Sequence, residues 1–372
     1  MSLVLNGTTG ITNLPSINSG QIGGRRNIVI NGEMKVAQRA TSATGKTGGT
    51  SGYFALDRWK LQDGTIGTAG RCTIAQIADG PAGFANCLKI SATTADTSID
   101  AREALILQTR FEGQDLQQLK KGTSSAEQVT VSFYVKGNAA ALYVCELHDV
   151  DNGRNNTQSF AVTTDWNRIE LTFAADTSDP LDDDTAVSLS LNFWLHSGSN
   201  YSGGTFASNT WADITLANTT AVADRTSIYD STNRTFFLTG VQMEIGSTAT
   251  DFEHRSFCEE YDLCKRYYYQ SYDLGVAAGT TSNAGAIMIY SITGNTFRYN
   301  IYFSPSMRAS PTMTFYNVED GTAGEMNREG AGGTSPEEIA ITFNSPKRAM
   351  LYNTNIGIAG NYYFHYTASA EL

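Results

Sequence analysis

Ala186-Val187-Ser188-Leu189-Ser190-Leu191-Asn192-Phe193-Trp194-Leu195-His196 alternates apolar and polar side chains along its length. A period of two is the mark of a β-strand with one face in a core and the other turned away from it. Val187, Leu189, Leu191, Phe193 and Leu195 make the core face, so Ser188, Ser190, Asn192, Trp194 and His196 share the opposite one. The pattern recurs on both sides of this stretch. Val129, Val131, Phe133 and Val135 alternate with Thr130, Ser132, Tyr134 and Lys136. Ile169, Leu171 and Phe173 enclose Glu170 and Thr172, and Val241, Met243 and Ile245 enclose Gln242 and Glu244. Turn clusters such as Asp151-Asn152-Gly153 and Asn200-Tyr201-Ser202-Gly203-Gly204 lie between these runs. Short alternating strands with glycine-rich turns predict an all-β chain whose main body, residues 27–255, is an antiparallel jelly-roll sandwich.

The composition agrees with that reading. The chain has 372 residues, with 26 Lys plus Arg against 37 Asp plus Glu, a net charge of −11. Such a balance excludes a nonspecific nucleic-acid binder. Charged residues are only 17% of the total, below the roughly 25% of an ordinary soluble domain. The faces turned away from the core are therefore rich in hydroxyls and amides, and contacts made by such faces are expected to survive added salt. No apolar stretch approaches the ~18–20 residues of a membrane span. The start Met1-Ser2-Leu3-Val4-Leu5-Asn6-Gly7 lacks the basic and apolar regions of an export signal, so synthesis in a cytoplasm and no membrane insertion are expected.

Outside the sandwich, residues 1–26 are too polar to bury a core and read as an arm. Asp115 to Gly122 has leucines three apart, a basic last turn and a glycine stop, which predicts a short surface helix. Ser256-Phe257-Cys258-Glu259 has the form of a capping box, in which the serine hydroxyl and the glutamate exchange bonds with the first free backbone amides. A helical connector over 256–270 follows, with Phe257, Tyr261 and Cys264 along one stripe. Alternation resumes at Phe297–Phe303, Thr312–Tyr316 and Tyr362–Tyr366, predicting a smaller C-terminal β-sandwich over 271–372. The glycine-rich stretch Gly321–Ser335 is long enough to be a functional loop.

Catalytic patterns are lacking. His148, His196, His254 and His365 are dispersed, with no HExxH, and there is no GxSxG, no phosphate-binding GxxxxGK and no strand-to-helix GxGxxG. The five cysteines are odd in number and show no CxxC, so buried free thiols are expected. Asp149 with Asp151, and the run Asp179–Asp184, offer oxygens suited to a structural Ca²⁺, but Gly153 stands where an EF-hand ligand belongs. Solvated loops are the preferred reading, and no catalytic residue, metal ligand or cofactor is predicted. Recognition chemistry is better represented. Trp194, His196 and Asn192 share the non-core face of one strand, and Tyr134 projects in the same way from another. An indole among amides and hydroxyls suits stacking on a pyranose while its neighbours bond the sugar hydroxyls. The competing reading is that this face meets another subunit or lies under a loop. Phe257, Tyr261, Tyr267 and Tyr268 are assigned to packing between domains or subunits, and Trp59 to the core.

Several strings carry a family resemblance. Arg26-Asn27-Ile28-Val29-Ile30-Asn31-Gly32-Glu33-Met34-Lys35-Val36-Ala37-Gln38-Arg39 and Tyr53-Phe54-Ala55-Leu56-Asp57-Arg58-Trp59 look like the opening of a jelly-roll module of bacteriophage tail-fibre-like proteins. Arg110-Phe111-Glu112-Gly113-Gln114-Asp115 resembles its middle, Phe236–Gly246 with Phe252–Arg255 its close, and Glu259–Tyr269 its helical connector. Phe303–Thr312 and Tyr366–Leu372 are similar to the same proteins' C-terminal domain. The resemblance implies a virion tail component, a homotrimer attached to other phage tail proteins through residues 1–26. It also implies a jelly roll like that of carbohydrate-binding modules. The expected function is adsorption to a host cell-surface glycan without catalysis. The alternative is a structural adaptor or assembly subunit that binds other virion proteins; a polysaccharide-cleaving enzyme ranks below both.

Overall fold

The computed structural model describes residues 25–64, 67, 69–292, 297–329, 340–353 and 359–372, with residues 16–17, 20–21 and 337–338 described as strands. The pairing of β1 (Ser16–Ile17) with β2 (Gly20–Gln21) is all that is described before Arg25, so the expected attachment arm lies largely outside the described residues. The main body comprises β3 (Ser42–Lys46), β4 (Lys60–Asp63), β5 (Arg71–Ile77), β6 (Cys87–Thr94), β7 (Ala104–Glu112), β8 (Val129–Gly137) and β9 (Ala141–Asp149). It continues with β10 (Arg154–Val162), β11 (Asn167–Phe173), β12 (Val187–Ser197), the four-residue helix α1 (Ser199–Ser202), β13 (Ala212–Asp213) and β14 (Thr235–Ile245).

These strands form two six-stranded antiparallel sheets. Their orders are β13-β10-β9-β12-β7-β4 and β11-β8-β14-β6-β5-β3. Between them lies one core that takes Leu189, Leu191, Phe193 and Leu195 from β12 and Val129, Val131, Phe133 and Val135 from β8. Phe133 and Phe193 meet edge to face at 5.0 Å in its centre. Trp59 is fully buried in the same core, its indole donating to the Asn31 carbonyl at 3.1 Å. All-β architecture is thus what the alternation encodes.

Strand β14 shows how parity is managed. Phe236 and Leu238 face the core, yet so do Val241 and Met243. A bulge between Thr239 and Gln242 makes the switch, with Gly240 at φ 60°. A side chain at Gly240 would run into Phe84 and Tyr134, so glycine is required both by conformation and by space.

The second predicted helix forms as α2 (Phe257–Lys265), capped by the Ser256 hydroxyl, which accepts from the Glu259 amide at 3.2 Å. Its buried residues are Cys264 and Glu260, while Phe257 is exposed and stacks on Tyr261 at 6.0 Å. Glu260 is drawn inward by Arg255, at 3.3 Å, and by the Asn31 amide. The predicted stripe therefore packs only at its Cys264 end. The helix expected over 115–122 is instead two 3₁₀ turns, Gly113–Asp115 and Gln117–Leu119, because Lys120 turns left-handed at φ 50° and stops the coil. Cys72, Cys87, Cys145 and Cys264 are buried free thiols, but Cys258 is exposed.

The C-terminal strands are β15 (Tyr268–Gln270), β16 (Ile287–Ser291), β17 (Phe297–Tyr302), β18 (Thr312–Asn317), β19 (Glu325–Arg328), β20 (Glu337–Glu338), β21 (Ala340–Ser345), β22 (Arg348–Asn353) and β23 (Gly360–Ser369). β23 is the spine, with β15 and β16 along one edge and β18 and β19 along the other. A second sheet, β17-β22-β21, completes a separate core containing Tyr362, Phe364, Tyr366, Phe315 and Leu351. The expected long loop at Gly321–Ser335 holds β19, and residues 330–336 lie outside the described residues.

A buried ionic cluster joins the two cores. Arg39 bonds Asp57 at 2.8 Å and Glu371 at 2.9 Å, and Arg58, which is 1% exposed, also pairs with Glu371. The Arg58 guanidinium lies 3.5 Å from the Tyr267 ring centre, and that of Arg39 lies 3.6 Å from that of Tyr268. Tyr267 and Tyr268 accordingly pack within the chain, between its two parts. Such close cation–aromatic contacts are strongest where water is excluded.

Candidate functional site

The register of the first sheet places its outward side chains in three rows. Gln62, Ile106, Trp194 and Val144 form the first. Lys60, Gln108, Asn192, Glu146 and Thr157 form the second. Arg110, Ser190, His148 and Asn155 form the third. The row beside the indole is mostly apolar, the middle row is built of amides and a carboxylate, and the last is cationic and polar. A cleft of about 290 Å³ opens over all three rows. Its further wall comes from the long connection between β12 and β14, through Ile214, Leu216 and Thr219.

Glu146 organises the cleft floor. Its Oε2 accepts from Asn192 Nδ2 at 2.9 Å and from Trp194 Nε1 at 2.7 Å, and its Oε1 accepts from Asn155 Nδ2 at 2.7 Å. A carboxylate facing Nδ2 fixes which way the Asn192 amide points. Asn192 Oδ1 is then left buried with no partner among the described residues. An unpaired buried acceptor costs about 1–3 kcal/mol.

The four residues singled out for sugar contact are not together. Asn192 and Trp194 line the cleft. Trp194 is only 8% exposed, packed with Ala104, Val144 and Phe206 and tilted against Tyr201 at 5.2 Å. It is a wall rather than an open stacking platform, because the connection after β12 folds back over it. His196 is 2% exposed and lies beneath the surface, with Nδ1 bonded to Ser227 Oγ at 2.7 Å and its ring edge-on to Tyr229. Tyr134 belongs to β8 in the other sheet, where it packs on Phe84 at 5.3 Å. Period-two alternation tells which side of a strand a residue occupies and not which sheet owns the strand. Glu146, His148, Gln108 and Arg110 were not singled out, although Tyr143, Cys145 and Leu147 on β9 and Leu105, Leu107 and Phe111 on β7 carry the same alternation and would have set them on the outer face.

His196 makes a pH prediction. Burial lowers its pKa from 6.5 to about 4. The unfolded chain takes up the proton more readily, so this stabilisation is complete above pH 6.5 and is lost as the pH falls toward 4. Between pH 7 and 4.5 the protein should lose about 2–3 kcal/mol through this group. Asp57, raised by burial to about 6, works in the opposite sense below that pH. The His196 part is therefore read as the difference between wild type and His196→Gln in urea unfolding at the two pH values; equal changes in both would contradict it.

Several oxygens of the acidic segments that could suit Ca²⁺ are bonded within the chain. Lys121 Nζ sits between Asp149 at 2.5 Å and Asp176 at 3.1 Å, and also donates to the carbonyls of Ser178 at 3.0 Å and Asp179 at 2.8 Å. An ammonium thus fills this set of oxygens. Asp151 accepts the Asp182 amide at 2.9 Å, and Asp184 caps the Ala186 amide. Among the described residues no group of three His, Cys, Asp or Glu is placed to hold a metal.

No protein-family model matches this sequence, and no curated protein does. Among solved structures it is similar to the family 11 carbohydrate-binding module of the cellulosomal cellulase Lic26A-Cel5E of Clostridium thermocellum, at 14% identity over 54% of this chain and 98% of that one, TM-score 0.27. It is also similar to the CBM22-1 xylan-binding domain of Paenibacillus barcinonensis Xyn10C, at 15% identity over 57% of this chain and 100% of that one, TM-score 0.27. A third is the enzymatically active domain of bacteriophage CBA120 tailspike protein 4, at 12% identity over 50% of this chain and 19% of that one, TM-score 0.26. At these values the likenesses assign neither ligand nor activity to this chain. The structure is that of an all-β protein with an antiparallel sandwich and a polar cleft on the outer face of one sheet.

Proposed function

We propose that the chain is a tail-fibre-like component of a phage virion, a homotrimer that adsorbs to a host-surface glycan through the cleft over β7, β9 and β12 without cleaving it. The carrying observation is the lining of that cleft, which sets Gln108, Ser190, Asn192 and His148 side by side next to the Trp194 wall. Amide, hydroxyl and imidazole groups are those that bond hydroxyls, the group a sugar has in greatest supply. The tail assignment rests on the ordered sequence blocks from Arg26 to Leu372. The absence of catalysis is argued from the lining: a glycosidase sets two carboxylates across the scissile bond, and Glu146, the one carboxylate in the cleft lining, is engaged by three donors.

The adaptor reading has one observation in its favour. Met288, Tyr290 and Ile292 on and just after β16 are 56%, 66% and 61% exposed on one face, more apolar surface than a free edge strand ordinarily shows. The two readings separate on a host-glycan array. The proposal expects retention of at least one glycan with no release of reducing ends, and a solution mass of three chains by light scattering. Retention of none would favour the adaptor, steady sugar release would make the protein an enzyme, and a single-chain mass would remove the trimer.

A further inference from the structure

Arg110 lines one end of the cleft, and Lys60 stands beside it on the same face of the sheet; neither has an ion-pair partner among the described residues. Lys60 pairs with Gln108 across β4 and β7, which makes Arg110 its diagonal neighbour on the same face, roughly 7–8 Å away for such a pair. Arg110 spends its Nε on Gln108 Oε1 at 2.7 Å, and its Nη1 and Nη2 have no hydrogen bond or ion pair among the described residues. Lys60 has no ion-pair partner among them either. The neighbouring carboxylates are committed elsewhere. Glu112, next outward residue on β7, is bonded by Arg266 at 2.8 and 2.6 Å and by the Tyr267 hydroxyl at 2.6 Å. Glu371 serves Arg39 and Arg58, and Glu146 serves Asn155, Asn192 and Trp194.

In a chain of net charge −11, two neighbouring cations without a direct ion pair among the described residues, beside a polar cleft, are a local departure. Keeping it is unfavourable: burial, and then the nearby Arg110, push the Lys60 ammonium below its ordinary range, with Glu371 opposing only in part. The exposed Nη1 and Nη2 edge of an arginine matches the two oxygens of a carboxylate, a planar two-point contact.

We propose that the bound glycan is acidic, and that this end of the cleft holds a sugar carboxylate, with Arg110 gripping both oxygens and Lys60 adding the second charge. The inference rests on the reading of the cleft as a glycan site and names the class of sugar that site selects. It also revises the expectation of salt-independent contacts: the neutral part of the ligand binds over Asn192 and Ser190 irrespective of salt, while the carboxylate contribution weakens as ions screen it.

The test titrates the full chain with oligogalacturonate, oligomannuronate and sialyllactose, each beside its counterpart with the carboxyl reduced to an alcohol, at 0.05 M and 0.5 M NaCl. At least one acidic member should bind about tenfold or more tighter than its neutral counterpart at low salt, with the gap narrowing at high salt. Arg110→Gln and, independently, Lys60→Gln should each bring the ratio of acidic to neutral affinity down to about twofold or less at low salt. Equal binding of acidic and reduced forms would overturn the acidic assignment and leave the glycan site standing. Binding of none of the six would overturn both. A preference that persists in both variants would place the carboxylate elsewhere and overturn the assignment to Arg110 and Lys60.

Discussion

Glu371→Ala will lower the stability of the protein by about 3–5 kcal/mol, the range for removing one partner of a buried ion pair. The reason lies in what the substitution leaves behind. Glu371 is the shared acceptor of Arg39 and Arg58, whose side chains are 13% and 1% exposed. Without it Arg39 keeps Asp57, but Arg58 keeps only its bond to the Arg110 carbonyl and its contact with the Tyr267 ring. Arg58 Nε is already without a partner. A fully buried guanidinium with no counter-charge is the main cost, and it falls where the two cores meet. Urea unfolding should show the loss, with a transition that broadens or splits as the C-terminal strands uncouple from the sandwich. Arg58→Met combined with Glu371→Leu should recover much of it, because an apolar pair of similar volume avoids the desolvation of both charges. A change below about 1 kcal/mol in the single variant would place Glu371 with ordinary surface pairs and contradict the cluster.

Lys121→Met should be comparably severe, again about 3–5 kcal/mol. Lys121 is 8% exposed and Asp149 is fully buried. Asp176 retains Arg154 at 3.1 Å, but Asp149 would keep only the Asn152 side chain and backbone amide. The two carbonyls at Ser178 and Asp179 would lose their donor as well. Adding Asp149→Asn should restore a good part of the loss, and this coupling is the readout that a mere packing defect would not give. Additive costs in the double variant would contradict the description of Lys121 as the resident cation of this site.

These clusters show where sequence reading ends. Strand faces were legible because a half-buried strand repeats every two residues, so Leu189 to Leu195 and Val129 to Val135 declared themselves. The capped start of α2 was legible from Ser256 and Glu259, both local signals. The partners of Arg58 and Lys121 were not, since Glu371 is 313 residues from Arg58 and no periodicity relates them. The same limit governed the site. Asn192 could be set on an outward face, but the cover over Trp194 and His196 comes from a connection whose path depends on tertiary packing. Tyr134 failed for a topological reason: β8 and β12 alternate alike yet lie in opposite sheets. Glu146 and Arg110 were missed although their strands alternate as clearly as β12, because a lone acid or base on an outward face carries no chemical signature until the register sets it beside its neighbours.

The central claim is that the cleft over β7, β9 and β12 is the glycan site. Calorimetric titration of a glycan retained on the array into wild type, Asn192→Ala and Tyr290→Ala tests it most directly. The account predicts that Asn192→Ala weakens binding about tenfold, as expected for the loss of one to two hydrogen bonds in a water-poor site, while Tyr290→Ala on the exposed β16 face binds as wild type does. Unchanged affinity in Asn192→Ala with loss in Tyr290→Ala would move recognition to the C-terminal sheet and contradict the account.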